Sequence, residues 1–247
     1  MTDSIHIRRA PILDGRLSAA VDLAGETCFF ADIGADHGRL STVLLLNHPT
    51  RKALVADISA AALSKARDRI SRMGLNDRAV FSVADGLDAL DILDKELPDT
   101  VFVLGMGGDT VSGILLRGAN KLQGAQLILG AQTELPLVRE TLCQIGYRIR
   151  KECIANENNR DYVLILAQPA LNSEATYSEE EMLLGPWLLK HCPGEWMPIL
   201  QRRQRLLKQG IQAMSAARSE KDADRLALFN RELAYVQRAI ERVSQKG

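Results

Sequence analysis

Along the first two thirds of the chain, short continuous apolar runs alternate with apolar residues spaced three to four apart, which is the signature of strands alternating with helices. The runs predict strands at Cys28–Gly34, Ala53–Asp57, Ala79–Ala84, Val101–Leu104, Gln126–Gly130, Tyr147–Ile154 and Tyr162–Ala167. The helical spacing predicts Gly38–Leu46, Ser59–Met73, a short helix at Leu87–Leu93, Thr110–Leu116 and Pro136–Ile145. Ser59 serves as an N-cap, Gly74 as a stop and Pro136 as a first-turn residue. Leu13, Leu17, Val21 and Ala24 place one more short helix ahead of the first strand. Five strand–helix units followed by two strands joined only through Asn156–Arg160 predict a doubly wound sheet with an antiparallel edge. After Ser173 the strand signals stop. Glu179–Lys190 and Trp196–Ser244 read as helices, interrupted at Gly194, Gly210 and Ser215–Glu220. Leu226, Leu233, Val236, Ile240 and Val243 form a stripe of near-heptad spacing, which suggests two long antiparallel helices. The expected organisation is an α/β domain over residues 1–172 and a small all-helical, coiled-coil-like domain over 173–247.

Composition adds bounds to this picture. With 247 residues, 46% of them hydrophobic, the chain can bury a sizeable core. No apolar run approaches the roughly 20 residues that span a bilayer, and Met1–Arg9 lacks the apolar centre of a signal peptide, so a cytoplasmic protein without membrane contact is expected. Cys28, Cys143, Cys153 and Cys192 contain no Cys-x-x-Cys pair, which argues against a zinc site or a disulfide framework. The formal net charge is zero, yet from Trp196 to Gly247 there are eleven Lys/Arg against five Asp/Glu. Such a basic tail is either a nucleic-acid footprint or a solvated helix face, and charge alone favours the second.

The candidate chemistry gathers at predicted strand ends. The first strand runs into Asp32, Gly34, Asp36, His37 and Gly38, where glycines allow a sharp turn into a helix and a close approach of ligand to backbone. This is the βα turn that places nucleotide-like ligands in open α/β sheets. Its glycines are four apart with an acid and a histidine between them, so the Gly-x-Gly-x-x-Gly dinucleotide pattern is missing and nicotinamide binding is disfavoured. Acidic residues there suit a ligand with positive charge or hydroxyls and no phosphate, such as S-adenosylmethionine. Asp57 ends the second strand, where a carboxylate can take both ribose hydroxyls. Asp85 and Gly86 end the third. Gly105, Met106, Gly107 and Gly108 end the fourth, leaving bare backbone beside which a flat substrate can reach a methyl donor.

Together, the segments Asp32–Gly38, Val55–Ser59, Asp85–Leu87 and Leu104–Gly108 resemble the class I, Rossmann-like methyltransferases of the TrmK type, bacterial enzymes that methylate N1 of adenosine 22 in tRNA. Gly185–Leu189 is similar to the Gly-Pro-aromatic-Leu-Leu that opens the helical domain of that family. The resemblance implies S-adenosylmethionine as cofactor. Asp32, Gly34, Asp36 and His37 would line its methionine side, Asp57 with Ile58 its ribose, Asp85 with Gly86 its adenine, and Gly105, Met106, Gly107 and Gly108 would flank the transferred methyl. It further implies a tRNA partner, gripped by the basic helical tail with Arg8, Arg9 and Arg16. Asp109 is the carboxylate suited to accept a proton, or else a helix cap; Asn156 and Asn158 are candidate hydrogen-bonding groups for the base, and His37 a positioning donor. No metal is implied, and a monomer or weak dimer is expected. A related enzyme with another acceptor, and a non-catalytic RNA-binding protein that kept the fold, stay open at this point.

Overall fold

A computed structural model describes residues 10–171, 176–214 and 220–246. Seven strands form one sheet in the order β3-β2-β1-β4-β5-β7-β6. They are β1 (Phe29–Ile33), β2 (Lys52–Asp57), β3 (Ala79–Val83), β4 (Thr100–Met106), β5 (Gln126–Ala131), β6 (Tyr147–Glu157) and β7 (Arg160–Pro169). The first five are mutually parallel; β7 runs antiparallel to both β5 and β6. The order reverses between β1 and β4, and at such a switch point the C-terminal strand ends open into a crevice. The β6–β7 hairpin turns on Asn158 and Asn159, both at positive φ (49° and 59°), which suits the right-handed twist of the flanking strands.

The period-2 alternation of the strands divides the core in two. Phe29, Ala31, Ile33, Val101, Val103, Leu127 and Leu129 face one layer, formed by α4 (Gly108–Gly118), α5 (Leu135–Gln144) and a 3-10 segment over Gly86–Ile92. Phe30, Val55, Phe102 and Ile128 face the other, formed by α1 (Gly15–Ala24), α2 (Arg39–Asn47) and α3 (Ala60–Arg72). The helix expected at Leu87–Leu93 is thus a tighter 3-10 stretch. Ser59 caps α3 as expected, its side chain accepting from the Ala62 amide at 3.2 Å.

Four helices follow: α6 (Glu179–Leu184), α7 (Pro186–His191), α8 (Met197–Met214) and α9 (Glu220–Lys246). The single helix expected over Glu179–Lys190 is broken at Gly185, which takes φ 101°, a conformation closed to other residues without strain. A side chain there would also run into Glu152, because a Cβ would sit 2.4 Å from Oε2. Gly210, expected as an interruption, lies inside α8; it makes room for the Phe229 ring of α9, 2.6 Å from where its Cβ would be. The pairings Arg203–Glu232 and Gly210–Phe229 run in opposite directions along the two helices, which are therefore antiparallel. Leu233, Val236, Ile240 and Val243 pack into a third core with Trp196, Leu200 and Leu207, and Val163 of the sheet joins it. The expected boundary at Ser173 lies outside the described residues, as does the interruption expected at Ser215–Glu220 up to its last residue, Glu220, which opens α9.

A buried ion pair fastens these helices to the sheet. Arg139 of α5 and Glu152 of β6, 1% and 0% exposed, meet at 2.9 Å. Glu152 also accepts from the Trp187 and Leu188 amides at the start of α7, at 3.1 and 3.3 Å. Arg139 donates to the Met182 and Leu183 carbonyls at the end of α6, at 2.8 and 3.1 Å. A carboxylate on a helix N-terminus and a guanidinium on a C-terminus each match the local dipole.

Candidate active site

Alternation along β1 sends Asp32 to the α2 side, where it is 4% exposed and accepts a hydrogen bond from the Ser41 hydroxyl at 2.5 Å. Burial pushes its carboxyl up to about 6; the Ser41 hydroxyl and amide oppose the shift, and the nearby Asp57 charge adds to it. Between pH 4 and 6 the native chain therefore holds a proton that the unfolded chain has lost. This group's contribution to stability falls as pH rises through that window and is level above it. A cationic ligand favours the ionised form, so the affinity for such a ligand is expected to climb with pH up to about 6, by at most about tenfold per unit. Titration calorimetry across pH 5–8 checks this, and the slope should vanish in Asp32→Asn.

The turn after β1 is tied to the end of β2. The Gly34 and Ala35 amides both donate to the Ala56 carbonyl at 2.9 Å. Asp36 takes φ 49°, and its amide donates to Asp57 Oδ2 at 2.9 Å, while Asp57 Oδ1 accepts from the Ser59 amide at 2.8 Å. Asp57 is thus held by two backbone donors, and the helix cap is supplied by Ser59. His37 lies 3.6 Å from Asp36 and 3.3 Å from the Lys65 ammonium. Asp85 is exposed and pairs with Arg117 at 3.2 Å. At the end of β4 the pairing with β5 shifts register between Leu104 and Met106. There Gln132 donates from its side chain to the Gly105 carbonyl at 3.1 Å and from its amide to the Met106 carbonyl at 2.9 Å.

These four strand ends line one cleft of about 470 Å³, within the range of small-molecule sites. Asp32, Gly34, Asp36, His37, Asp57, Ile58, Asp85, Gly86, Gly105 and Met106, all named from the sequence, border it together. Gly107 and Asp109 do not; they flank the lining residues Met106 and Thr110. Gly107 occupies the cap position of α4, and Asp109 is exposed in its first turn, so it is not the N-cap. Asn156 is exposed and donates to Asp161 at 2.8 Å, and Asn158 stands at the hairpin tip; neither borders the cleft. Arg16, grouped with Arg8 and Arg9 on sequence grounds, lies inside the cleft, whereas Arg8 and Arg9 fall outside the described residues. Asp14, Arg39, Thr110 and Ile114 also border it without having been singled out, since only the crossing of α1, α2 and α4 over the rim brings them there; Gln132 enters from the end of β5. Among the described residues no three His, Cys, Asp or Glu side chains cluster to hold a metal, and no helix is long and apolar enough to cross a membrane.

The donor set suits a ligand with cationic centres, hydroxyls and one anionic group: five carboxylates, two arginines and bare glycine backbone, with Ile58 and Ile114 as apolar surfaces. Sheet order, switch point and cleft together define a class I, Rossmann-like methyltransferase. The family model TrmK, described as tRNA (adenine(22)-N(1))-methyltransferase, matches residues 30–238. This chain belongs to that family. It is 30% identical over 224 residues to the tRNA (adenine(22)-N(1))-methyltransferase of Bacillus subtilis (strain 168), covering 87% of this chain and 92% of that protein. The crystal structure of the B. subtilis enzyme TrmK superposes with a TM-score of 0.83 at 24% identity, over 93% of this chain and 99% of that one. The Streptococcus pneumoniae protein Sp1610, solved in complex with S-adenosyl-L-methionine, gives 0.80 at 19% identity over 93% and 100%.

Proposed function

We infer that this chain transfers a methyl group from S-adenosylmethionine to N1 of adenosine 22 in tRNA. The observation that carries the reading is the convergence of four acid- and glycine-bearing strand ends on one cleft, in a chain of this family. When bound, S-adenosylmethionine supplies a methyl group made electrophilic by its sulfonium. The chain's own part is to hold and orient. Asp57, fixed by two amides, presents its remaining lone pairs to ribose hydroxyls, and Asp32 and Asp36 set negative charge against the cationic half of the ligand. His37, on the same turn, is assigned a positioning role there. Asp85 and Gly86 border the adenine end. Neutral adenine N1 already carries a lone pair, so alignment along Gly105–Gly107 supplies most of the effect. Asp109 is assigned as acceptor of an N6 proton.

Incubation with tRNA lacking the modification, followed by nucleoside mass spectrometry, should yield 1-methyladenosine at position 22. A different methylated nucleoside would replace this acceptor. In the same assay Asp109→Asn should lower kcat by about 10²-fold with the affinity for S-adenosylhomocysteine preserved; an unchanged kcat removes Asp109 from the chemistry. Contact with the tRNA backbone is assigned to the exposed Arg202, Arg205 and Lys208 of α8, with Arg8 and Arg9. Replacing those three α8 residues by alanine should reduce the slope of log affinity against log salt by about 2. An intact slope would move the contact elsewhere.

A further inference from the structure

An enzyme that methylates N1 of an adenine must draw the base out of its stack, and a base so displaced is held on an aromatic surface. The chain has eleven aromatic side chains to offer. Phe29, Phe30, Phe102, Tyr147 and Trp196 are sealed in the cores. Phe81 on β3 is covered by Arg67, Tyr177 is held at β6 by the Ile149 amide, and Trp187, Phe229 and Tyr235 pack into the third core. Tyr162 remains, half-buried near the start of β7. Because β7 runs antiparallel to β5, that start lies at the edge where the parallel strands end. Continuing the register in which Leu129 pairs with Ile165 sets Tyr162 across from Gln132, which borders the cleft and donates to the Gly105 carbonyl. On the α1 side the ring lies 5.5 Å from Cζ of Arg16, itself part of the cleft wall. The position is fixed from outside as well. Helix α1 approaches the hairpin so closely that a Cβ on Gly15 would sit 2.7 Å from the Asn156 carbonyl oxygen, and the Asn156 side chain donates to Asp161, the neighbour of Tyr162.

We propose that Tyr162 is the surface on which the acceptor adenine stacks when it enters beside Gly105–Gly107. This rests on the tRNA methylation reading above and names the residue that receives the base. A neutral adenine is flat and apolar on its faces, so the carboxylates of the cleft give it no grip. A phenol ring offers it a large contact area, and one already held between α1 and the β6–β7 hairpin loses little freedom on binding. Stacking fixes the plane of the base and leaves its N1 edge free to line up with the sulfonium methyl.

Methyl transfer by the full chain to tRNA lacking the modification, read beside titration with S-adenosylhomocysteine, tests this. Tyr162→Ala and Tyr162→Leu should each lower kcat/KM for tRNA by roughly 5- to 150-fold, the loss expected for one stacked base. Tyr162→Phe keeps the ring and should stay within about threefold of wild type. All three variants should bind S-adenosylhomocysteine within about twofold of wild type, since one stacked base is all that they lose. Wild-type kcat/KM in the alanine variant overturns the proposal. So does a phenylalanine variant as slow as alanine, which would assign the effect to the hydroxyl. A parallel loss of S-adenosylhomocysteine affinity overturns it too, because the ring would then act by holding Arg16. If the wild-type chain methylates no adenosine in tRNA, the reading of function itself fails, a result distinct from any behaviour of the variants.

Discussion

Asp57→Ala is expected to lose cofactor binding by roughly 10²- to 10⁴-fold, the combined effect of removing two hydrogen bonds to a charged group. The carboxylate does two things at once. Oδ2 anchors the Asp36 amide and Oδ1 the Ser59 amide, so the turn after β1 and the start of α3 share one acid. Its free lone pairs are then directed into the cleft without any side-chain rearrangement on binding. Asp57→Asn keeps only one oxygen acceptor and should fall between alanine and wild type. Titration with S-adenosylhomocysteine measures the loss, and a melting temperature within a few degrees of wild type shows that the sheet is intact. Wild-type affinity in the alanine variant would remove Asp57 from the ribose site, and with it the main anchor of the nucleoside end.

The second large effect concerns stability. Glu152→Ala should destabilise the chain by about 3–5 kcal/mol, because it strands Arg139, 1% exposed, without its counter-ion. It also leaves the Trp187 and Leu188 amides without an acceptor and loosens α7 from β6. Gly185→Ala should act on the same joint, since its Cβ would stand 2.4 Å from Glu152 Oε2. Urea denaturation of the full chain reads both. Because the two substitutions share one contact, their double mutant should be less destabilised than the sum of the singles. A loss below about 1 kcal/mol for Glu152→Ala would show that the third core, from Trp196 to Val243, holds the helices in place without the ion pair.

Glu152 also shows why this joint was hidden in the sequence. Tyr147 and Ile149 alternate inward, and strict period-2 reading would send Glu152 to the opposite face. An extra residue at Arg150, where the β6–β7 register slips between Ile149 and Lys151, reverses the phase and turns Glu152 toward α5 and α7. A bulge depends on pairing with another strand, so apolar spacing in one strand does not reveal it. Gly185 looked like part of a motif inside one helix; its reason is the carboxylate it must pass. Gly210 looked like a break and lies within α8, because the space it leaves is filled by Phe229 from a helix nineteen positions on.

The rim of the cleft was legible because it depends on chain-local features. Continuous apolar runs fix β1, β2 and β4 as buried parallel strands with β3 as their partly exposed edge, and the acid or glycine ending each must emerge at the same end when the strands run parallel. Asp32, Asp57, Asp85 and Gly105 followed from that rule alone. The sequence by itself therefore determined the sheet, its antiparallel edge and the acidic half of the cleft. Only the tertiary structure decided that Arg16 faces that cleft, that Asp109 stands outside its lining, and that Glu152 secures the helices. Strand order and local period set the direction of a side chain within its own element, whereas the meeting of α1 with β4, or of α7 with a bulged β6, depends on how separate elements pack across the core.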